Sequence, residues 1–230
     1  MSSHTGILGI DEAGRGPLIG DMFVAGVVVG EESLETLRQY GVKDSKALSR
    51  SMRRKLFNIV LTLARCAVVR RFSPREIDVS NINELYEIGV SDIVNTVSKL
   101  GFNVSRIYVD STSSRRLRRR VRSIVPSYVE VIVEPRADEK YVVVGAASIV
   151  AKYLRDTHVR VLHKAYGDFG SGYPSDPKTI SWIEELVRKG GELPGIVRLS
   201  WRTLRRFGVG VGTKKYSLLK WFKIGEDSSS

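Results

Sequence analysis

Apolar, β-branched runs recur along the first part of the chain at Ile7 to Ile10, Phe23 to Val29, Ala64 to Phe72, Arg106 to Val109 and Tyr128 to Val133, each bounded by Gly, Pro, Asp or Ser. Runs of this kind predict strands. Apolar residues return at helical spacing over Glu31 to Tyr40, Ser49 to Leu63, Ile82 to Leu100, Ser113 to Ile124, Tyr141 to Tyr166 and Pro177 to Arg188. A glycine-rich turn joins the first two runs without a helix, which predicts an antiparallel hairpin. The later strands are separated by helices, which predicts parallel additions. The expected fold class is α/β, a mixed five-stranded sheet flanked by helices. From about Tyr141 strands give way to helices and loops packed against the sheet. The chain thus divides into a sheet-bearing core over 1–140, a helical C-terminal portion over 141–212 and a tail over 213–230, ending in EDSSS, which reads as disordered.

Composition narrows the function. A hydrophobic content of 42% over 230 residues is ample for a buried core. No run approaches the roughly 18 apolar residues of a membrane helix. The opening MSSHTGILGIDEAG lacks the ordered basic, apolar and cleavage regions of a secretory signal, so an intracellular, cytoplasmic protein is expected. The single cysteine, Cys66, excludes an internal disulfide framework and a cysteine-based zinc site. A formal net charge of +12 points to a polyanionic partner, because a basic surface releases counterions condensed on phosphates. A charge-rich chain poor in Cys, Met and His also suits a thermophile, which accounts for the number of arginines but not for the sign of the imbalance.

Against that positive charge, the stretch GIDEAGRGP places Asp11 and Glu12 side by side just before Arg15. Asp11 is expected to end the first strand, Asp110 ends RIYVD, and Asp138 follows YVEVIVEP just before a helix. Acids at the carboxyl ends of adjacent strands lie where open α/β sheets bind ligands. Within a regular strand Asp11 and Glu12 face opposite ways; a strand broken at AGRGP lets both reach one site. Clustered carboxylates call for cations, and all-oxygen ligation suits Mg²⁺ or Mn²⁺, a pair of which about 3.5–4 Å apart can activate water on a phosphodiester. Structural roles stand beside this: Asp110 and Asp138 as helix caps, and Asp11 and Glu12 paired with Arg15. Glu134 and Glu139 are rival fourth ligands. Gly14, Gly16 and Gly20 also invite comparison with a dinucleotide-binding loop, a poor match because Pro17 removes an amide donor and a strand follows.

GIDEAGRGP, KDSKALS, YVDSTS, RADEKYVVVGAASIVAK and GSGYPSDP, in that order from the first strand to about Trp201, together resemble type 2 ribonuclease H (ribonuclease HII), particularly its archaeal form. The resemblance implies a ribonuclease H-like fold with a C-terminal helical segment. It implies a metal-dependent endonuclease of DNA replication and repair that cuts the RNA strand of RNA–DNA hybrids. Such enzymes also incise duplex DNA 5′ to a single embedded ribonucleotide, leaving 3′-hydroxyl and 5′-phosphate ends. Carried over residue by residue, the metal-binding and catalytic acids fall on Asp11, Glu12, Asp110 and Asp138. The segment gripping the ribonucleotide 2′-hydroxyl falls on Gly14, Arg15 and Gly16, and the tyrosine beside the DNA–RNA junction on Tyr173. Lys43, Lys46 and Lys152 lie in family-like blocks and are candidates for substrate phosphates. Two Mg²⁺ or Mn²⁺ ions are implied, the second arriving with substrate. Asp21 departs from the family's usual proline and either perturbs metal affinity or faces solvent. Rival readings are a non-catalytic nucleic-acid-binding module and a DNA-junction nuclease of the same fold.

In SSRRLRRRVRSIV, Leu117, Val121 and Ile124 form one apolar stripe that turns six arginines outward, a solvated basic helix first and a phosphate track second. His158 and His163 read as structural. The segment KKYSLLKWFKIG resembles a sliding-clamp-binding box, with Leu218, Trp221 and Phe222 as the apolar plug and Lys215 in place of the usual glutamine; packing on the enzyme's own body is the alternative. A monomer is expected.

Overall fold

A computed structural model describes residues 5–42, 48–112, 114–190 and 192–207. Strands β1 (Gly6–Ala13), β2 (Met22–Gly30), β3 (Cys66–Phe72), β4 (Val104–Asp110) and β5 (Glu130–Glu134) form one sheet in the order β3-β2-β1-β4-β5. As the chain pattern predicts, β1 and β2 are an antiparallel hairpin, and β4 and β5 run parallel to β1. The expectation fails at β3, which is antiparallel to β2. The two expected helices, α1 (Glu31–Gln39) and α2 (Arg50–Leu63), join these strands, one carrying the chain out and the other bringing it back to the end it left. The Arg65 N–H donates to the Val28 carbonyl at 2.8 Å where the return closes.

Alternation along β1 builds both faces. Leu8 and Ile10 join one apolar layer with α4 (Ile82–Lys99) and α5 (Ser114–Arg122), through Leu85, Val90, Ile93, Leu117 and Val121. Ile7 and Ala13 join the other with α1, α2 and the long helix α7 (Val142–Tyr166). Helix α7 lies directly on β1 because Gly9 has no side chain: a Cβ there would sink into the Val143 carbonyl. A third apolar cluster joins Leu18 and Ile19 to the end of α7, to α8 (Pro177–Lys189) and to Val197 and Leu204. Among the described residues no helix is long and apolar enough to cross a membrane.

Three short elements were not anticipated from the pattern: α3 (Pro74–Val79), α6 (Ala137–Lys140) and a 3₁₀ turn over Arg202–Phe207. Helix α3 nonetheless carries its own start signal, a reciprocal capping box between Ser73 and Glu76 with Pro74 in the first turn. On α5, Leu117 and Val121 are buried as the stripe requires, whereas Ile124 lies past the helix end and is 36% exposed.

Gly9→Ala should lower the melting temperature by several degrees, since backbone overlap of this kind costs about 1–3 kcal/mol and each kcal/mol is roughly 2–4 °C in a domain of this size. Gly195→Ala, where nothing lies within 4 Å of the added carbon, is the neutral control. Equal melting temperatures for the two variants in calorimetry would contradict the close approach of α7 to β1.

Candidate active site

Because β1 neighbours β4 and β4 neighbours β5, Asp11, Asp110 and Asp138 come together at one end of the sheet. The strand does not break after Asp11, as expected from sequence, but pairs with β2 through Ala13. The Asp11 and Glu12 carboxylates nonetheless come within hydrogen-bonding reach of each other, so both acids do reach one site. Asp11 is buried on the α7 side, where the Ser148 hydroxyl hydrogen-bonds to its carboxylate. Glu12 Oε1 is 3.0 Å from Arg15 Nε. The Arg15 guanidinium stacks 4.6 Å above the Tyr86 ring and donates to Asn83 Oδ1 at 3.2 Å. The Glu12 N–H donates to Asp11 Oδ1 at 2.8 Å, and the Asp138 N–H reaches Asp110 Oδ2 at 3.4 Å. Asp138 is not a helix cap: it is buried within α6, whose cap position is held by Arg136. Glu134 turns away to Lys140 Nζ at 2.8 Å, a hydrogen bond that lowers its carboxyl below the usual range.

The four carboxylates are electrostatically one group. Burial, then the charge of Glu12, raises Asp11 well above the ordinary carboxylate value. Burial also raises Glu12, against the pull of Arg15. Burial and the Asp11 charge push Asp110 up to about 6. Such a cluster holds protons or cations more readily than isolated acids do. As the side chains lie, no three acids among the described residues stand close enough to share an ion, and Arg15 holds one oxygen of Glu12. The donor set is oxygen throughout, the kind Mg²⁺ and Mn²⁺ accept.

Beside the acids opens a cavity of about 450 Å³ lined by Glu12, Gly14, Arg15, Gly16, Lys152 and Tyr173, with Arg53, Arg155 and Asp156 at its edge. Gly14 has φ +92°, and a Cβ there would stand 2.6 Å from the Asp21 carbonyl, so only glycine fits. At Gly16 a Cβ would meet only the Tyr173 ring, 3.6 Å away, so its missing side chain leaves a slot between loop and ring. Tyr173 is fixed by the turn before α8, where Asp176 accepts from the Ser171 and Lys178 N–H groups, and by the Arg155 guanidinium 4.7 Å from its ring. Lys43 and Lys46, and the segment with Leu218, Trp221 and Phe222, lie outside the described residues.

The profile of the ribonuclease HII family matches residues 8–204, from β1 into the 3₁₀ turn. The chain belongs to the ribonuclease HII family. It is thus a ribonuclease H-type endonuclease, a hydrolase. The ribonuclease HII of Thermofilum pendens is 46% identical over 210 residues, covering 87% of this chain and 98% of its own length. The ribonuclease H2 structure from Pyrococcus horikoshii OT3 matches with a TM-score of 0.81 at 40% identity, covering 88% of this chain and 97% of that one. The ribonuclease HII of Archaeoglobus fulgidus, solved in complex with PCNA, matches with a TM-score of 0.76 at 37% identity, covering 86% and 95%. The ribonuclease H-like fold is shared with these structures.

Several residues of this ribonuclease HII site were not singled out in the sequence. Ser148, Arg155 and Asp156 share one face of α7 with Lys152, at steps of three and four. Polar residues at that spacing beyond an otherwise apolar helix start were the available signal. Arg53 on α2 reaches Asp156 across the groove. Asp21 neither faces solvent nor approaches the acids: its buried carboxylate pairs with Arg71 and lies 3.4 Å from His158. On α5, Arg116 and Arg120 bind back to Glu87, and Arg122 donates to the Val129 carbonyl, leaving the other arginines to solvent.

The raised Asp110 value sets a pH dependence in the metal-free protein. Between the ordinary value of 3.8 and about 6 the folded chain keeps a proton that the unfolded chain releases. The stability from this group is therefore full below 3.8 and lost as pH rises through about 6. In chelator, Asp110→Asn should gain on the parent in melting temperature between pH 4 and pH 7. A gap that is flat or narrows over that range would show that Asp110 is not held in a repulsive cluster.

Proposed function

We propose that this ribonuclease HII is a divalent-metal-dependent enzyme that cuts the RNA strand of RNA–DNA hybrids and incises 5′ to single ribonucleotides in duplex DNA. The observation that carries the reading is one pocket in which Glu12, coupled to Asp11 and Asp110, stands beside Gly14, Arg15, Gly16 and Tyr173. Mg²⁺ or Mn²⁺ would be held by Asp11, Glu12, Asp110 and Asp138, the second ion with substrate phosphate in its shell; when bound it lowers the pKa of water and stabilises the leaving oxygen.

The chain's own residues do the rest. A 2′-hydroxyl both donates and accepts, so a close backbone flanked by glycines is suited to test for it, and the slot at Gly16 has the room. Arg15, paired with Glu12 in the free protein, offers its fork to the adjoining phosphate. Tyr173 presents a flat ring to the neighbouring sugar, and Lys152 adds positive charge at the cavity wall. In the hydrolysis a water oxygen bonds to phosphorus and the bond from phosphorus to the 3′ oxygen breaks. That oxygen takes up a proton, leaving a 3′-hydroxyl upstream and a 5′-phosphate on the ribonucleotide. The basic exterior favours a nucleic-acid partner. The placement of the chemistry argues for a monomer acting on its own duplex.

Duplex DNA with one ribonucleotide, incubated with Mg²⁺, Mn²⁺ or chelator, should be cut only with metal and only 5′ to the ribonucleotide. Asp110→Asn should be slower by about 100-fold or more, since partners outside the metal shell alone cost about 10–100-fold. Gly16→Ala should melt like the parent yet cut about 100-fold more slowly, as misplacement of about 1 Å can do. Tight binding without cutting in any metal would instead favour a non-catalytic module.

We further propose that Leu218, Trp221 and Phe222 plug into a sliding clamp, a reading supported by the PCNA complex of the Archaeoglobus fulgidus relative. Deleting 214–230 should abolish retention on immobilised clamp while leaving cleavage of short duplexes unchanged. Retention that survives the deletion, or that the intact chain never shows, would rule the plug out.

A further inference from the structure

Among the described residues Arg198 is the largest fully buried side chain, with 0% exposure. Its hydrogen bonds go to backbone carbonyls: Nη2 donates to Gly14 O at 2.6 Å, Nη1 to Arg15 O at 3.1 Å and Nε to Gly20 O at 2.8 Å. The surrounding chain continues the pattern. The Arg198 N–H donates to Leu18 O at 2.8 Å, Trp201 Nε1 donates to Gly16 O at 3.2 Å, and the Gly20 N–H donates to Ile196 O at 2.8 Å. Ile19 and Val197 form an antiparallel bridge. The segment is itself anchored to α3, where the Asp78 carboxylate accepts from the Leu199 and Ser200 N–H groups, each at 2.9 Å.

The carbonyls of Gly14, Arg15, Gly16, Leu18 and Gly20 are thus all engaged on one side of the loop. In a trans peptide the C=O and N–H point in opposite directions. The carbonyl of Gly14 belongs to the peptide that carries the Arg15 N–H, and the carbonyl of Arg15 to the one that carries the Gly16 N–H. Pro17 has no N–H. Holding those two carbonyls therefore turns two N–H groups toward the opposite side, where the cavity is. A cation on a carbonyl also polarises its peptide and strengthens the N–H as a donor. Burial lowers the Arg198 value only to about 10, and the negative charges of Asp21 and Asp78 support it, so the guanidinium stays protonated at neutral pH. A lysine ammonium keeps the charge but lacks the planar fork that spans three acceptors.

We propose that Arg198 is a positioning residue for ribonucleotide selection: its guanidinium gathers the carbonyls of Gly14, Arg15 and Gly20 and so presents the N–H groups of Arg15 and Gly16 to the substrate. This rests on the reading of Gly14 to Gly16 as the contact for the 2′-hydroxyl. Arg198 touches no reacting atom. Its effect falls on discrimination between ribose and deoxyribose rather than on the carboxylate cluster.

The test uses the full chain in an Asp110→Asn background, where cutting is slow beside a binding measurement, and measures affinity for a duplex with one ribonucleotide relative to the same duplex entirely of DNA. Arg198→Lys should reduce that ratio about ten-fold, the scale of one well-made hydrogen bond. In the otherwise native chain, the rise in melting temperature caused by Mn²⁺ should be the same with Arg198→Lys as without it. Methylguanidinium added to Arg198→Ala should restore part of the ratio. An unchanged ratio in folded Arg198→Lys overturns the proposal. If that variant does not fold, Trp201→Phe carries the test through the Gly16 carbonyl alone, with a smaller fall expected and no fall overturning it. A parent protein that binds both duplexes equally overturns the reading of the glycine loop itself, which separates the two failures.

Discussion

Asp11 lies almost out of water beside Glu12 and within electrostatic reach of Asp110, and the repulsion among these carboxylates is what the surrounding structure holds in check. No single partner neutralises them. Ser148 supports Asp11 from α7, Arg15 balances Glu12 from the loop after β1, and a backbone N–H leans on Asp110. The acids stay together because their backbones are in the middle of a sheet covered by apolar helices on both faces. Adjacent strands fix where the carboxylates begin, and burial fixes how strongly they interact. The close approach at Gly9 matters for the same reason: it brings α7, and with it Ser148 and Lys152, down onto the strand that carries Asp11.

The site has two halves made in different ways. The acidic half belongs to the sheet and is supported by nearest neighbours. The selective half is a loop with little structure of its own, given shape by the C-terminal segment from Ile196 to Trp201 and by the turn that carries Tyr173. A buried guanidinium joined to carbonyl dipoles keeps that loop in register without placing a negative charge next to the carboxylates. Asp21 illustrates the same separation, since its charge is spent on Arg71 and His158, away from the cluster.

What was legible in the sequence follows from what is local. The runs that became β1, β2, β4 and β5 alternate or persist over a few residues, and helices between them dictate that β1, β4 and β5 run parallel, so the acids could be brought to one end of the sheet from spacing alone. The direction of β3 was not legible, because two helical runs after β2 do not say whether the chain crosses the sheet or returns to the end it left. The strand was expected to stop at the glycines after Glu12, whereas pairing with β2 carries it to Ala13. Helix α3 announced itself in Ser73, Pro74 and Glu76 but was too short to show a period. Arg198 was invisible for a plainer reason: nothing near it in the chain says what it touches. Of the candidate substrate contacts, Arg15, Lys152 and Tyr173 do line one cavity with Glu12.

The bond from Arg198 to Gly14 spans 184 residues of chain. Translation proceeds at about 5–20 residues per second, so the loop waits roughly 10–40 s for its partner after it leaves the ribosome. All five strands have emerged by Glu134, so the sheet and its acids can assemble well before then. Selectivity is thus acquired later than the sheet and its acids, and a chain cut short before Arg198 would carry the acids without the means to hold the loop beside them.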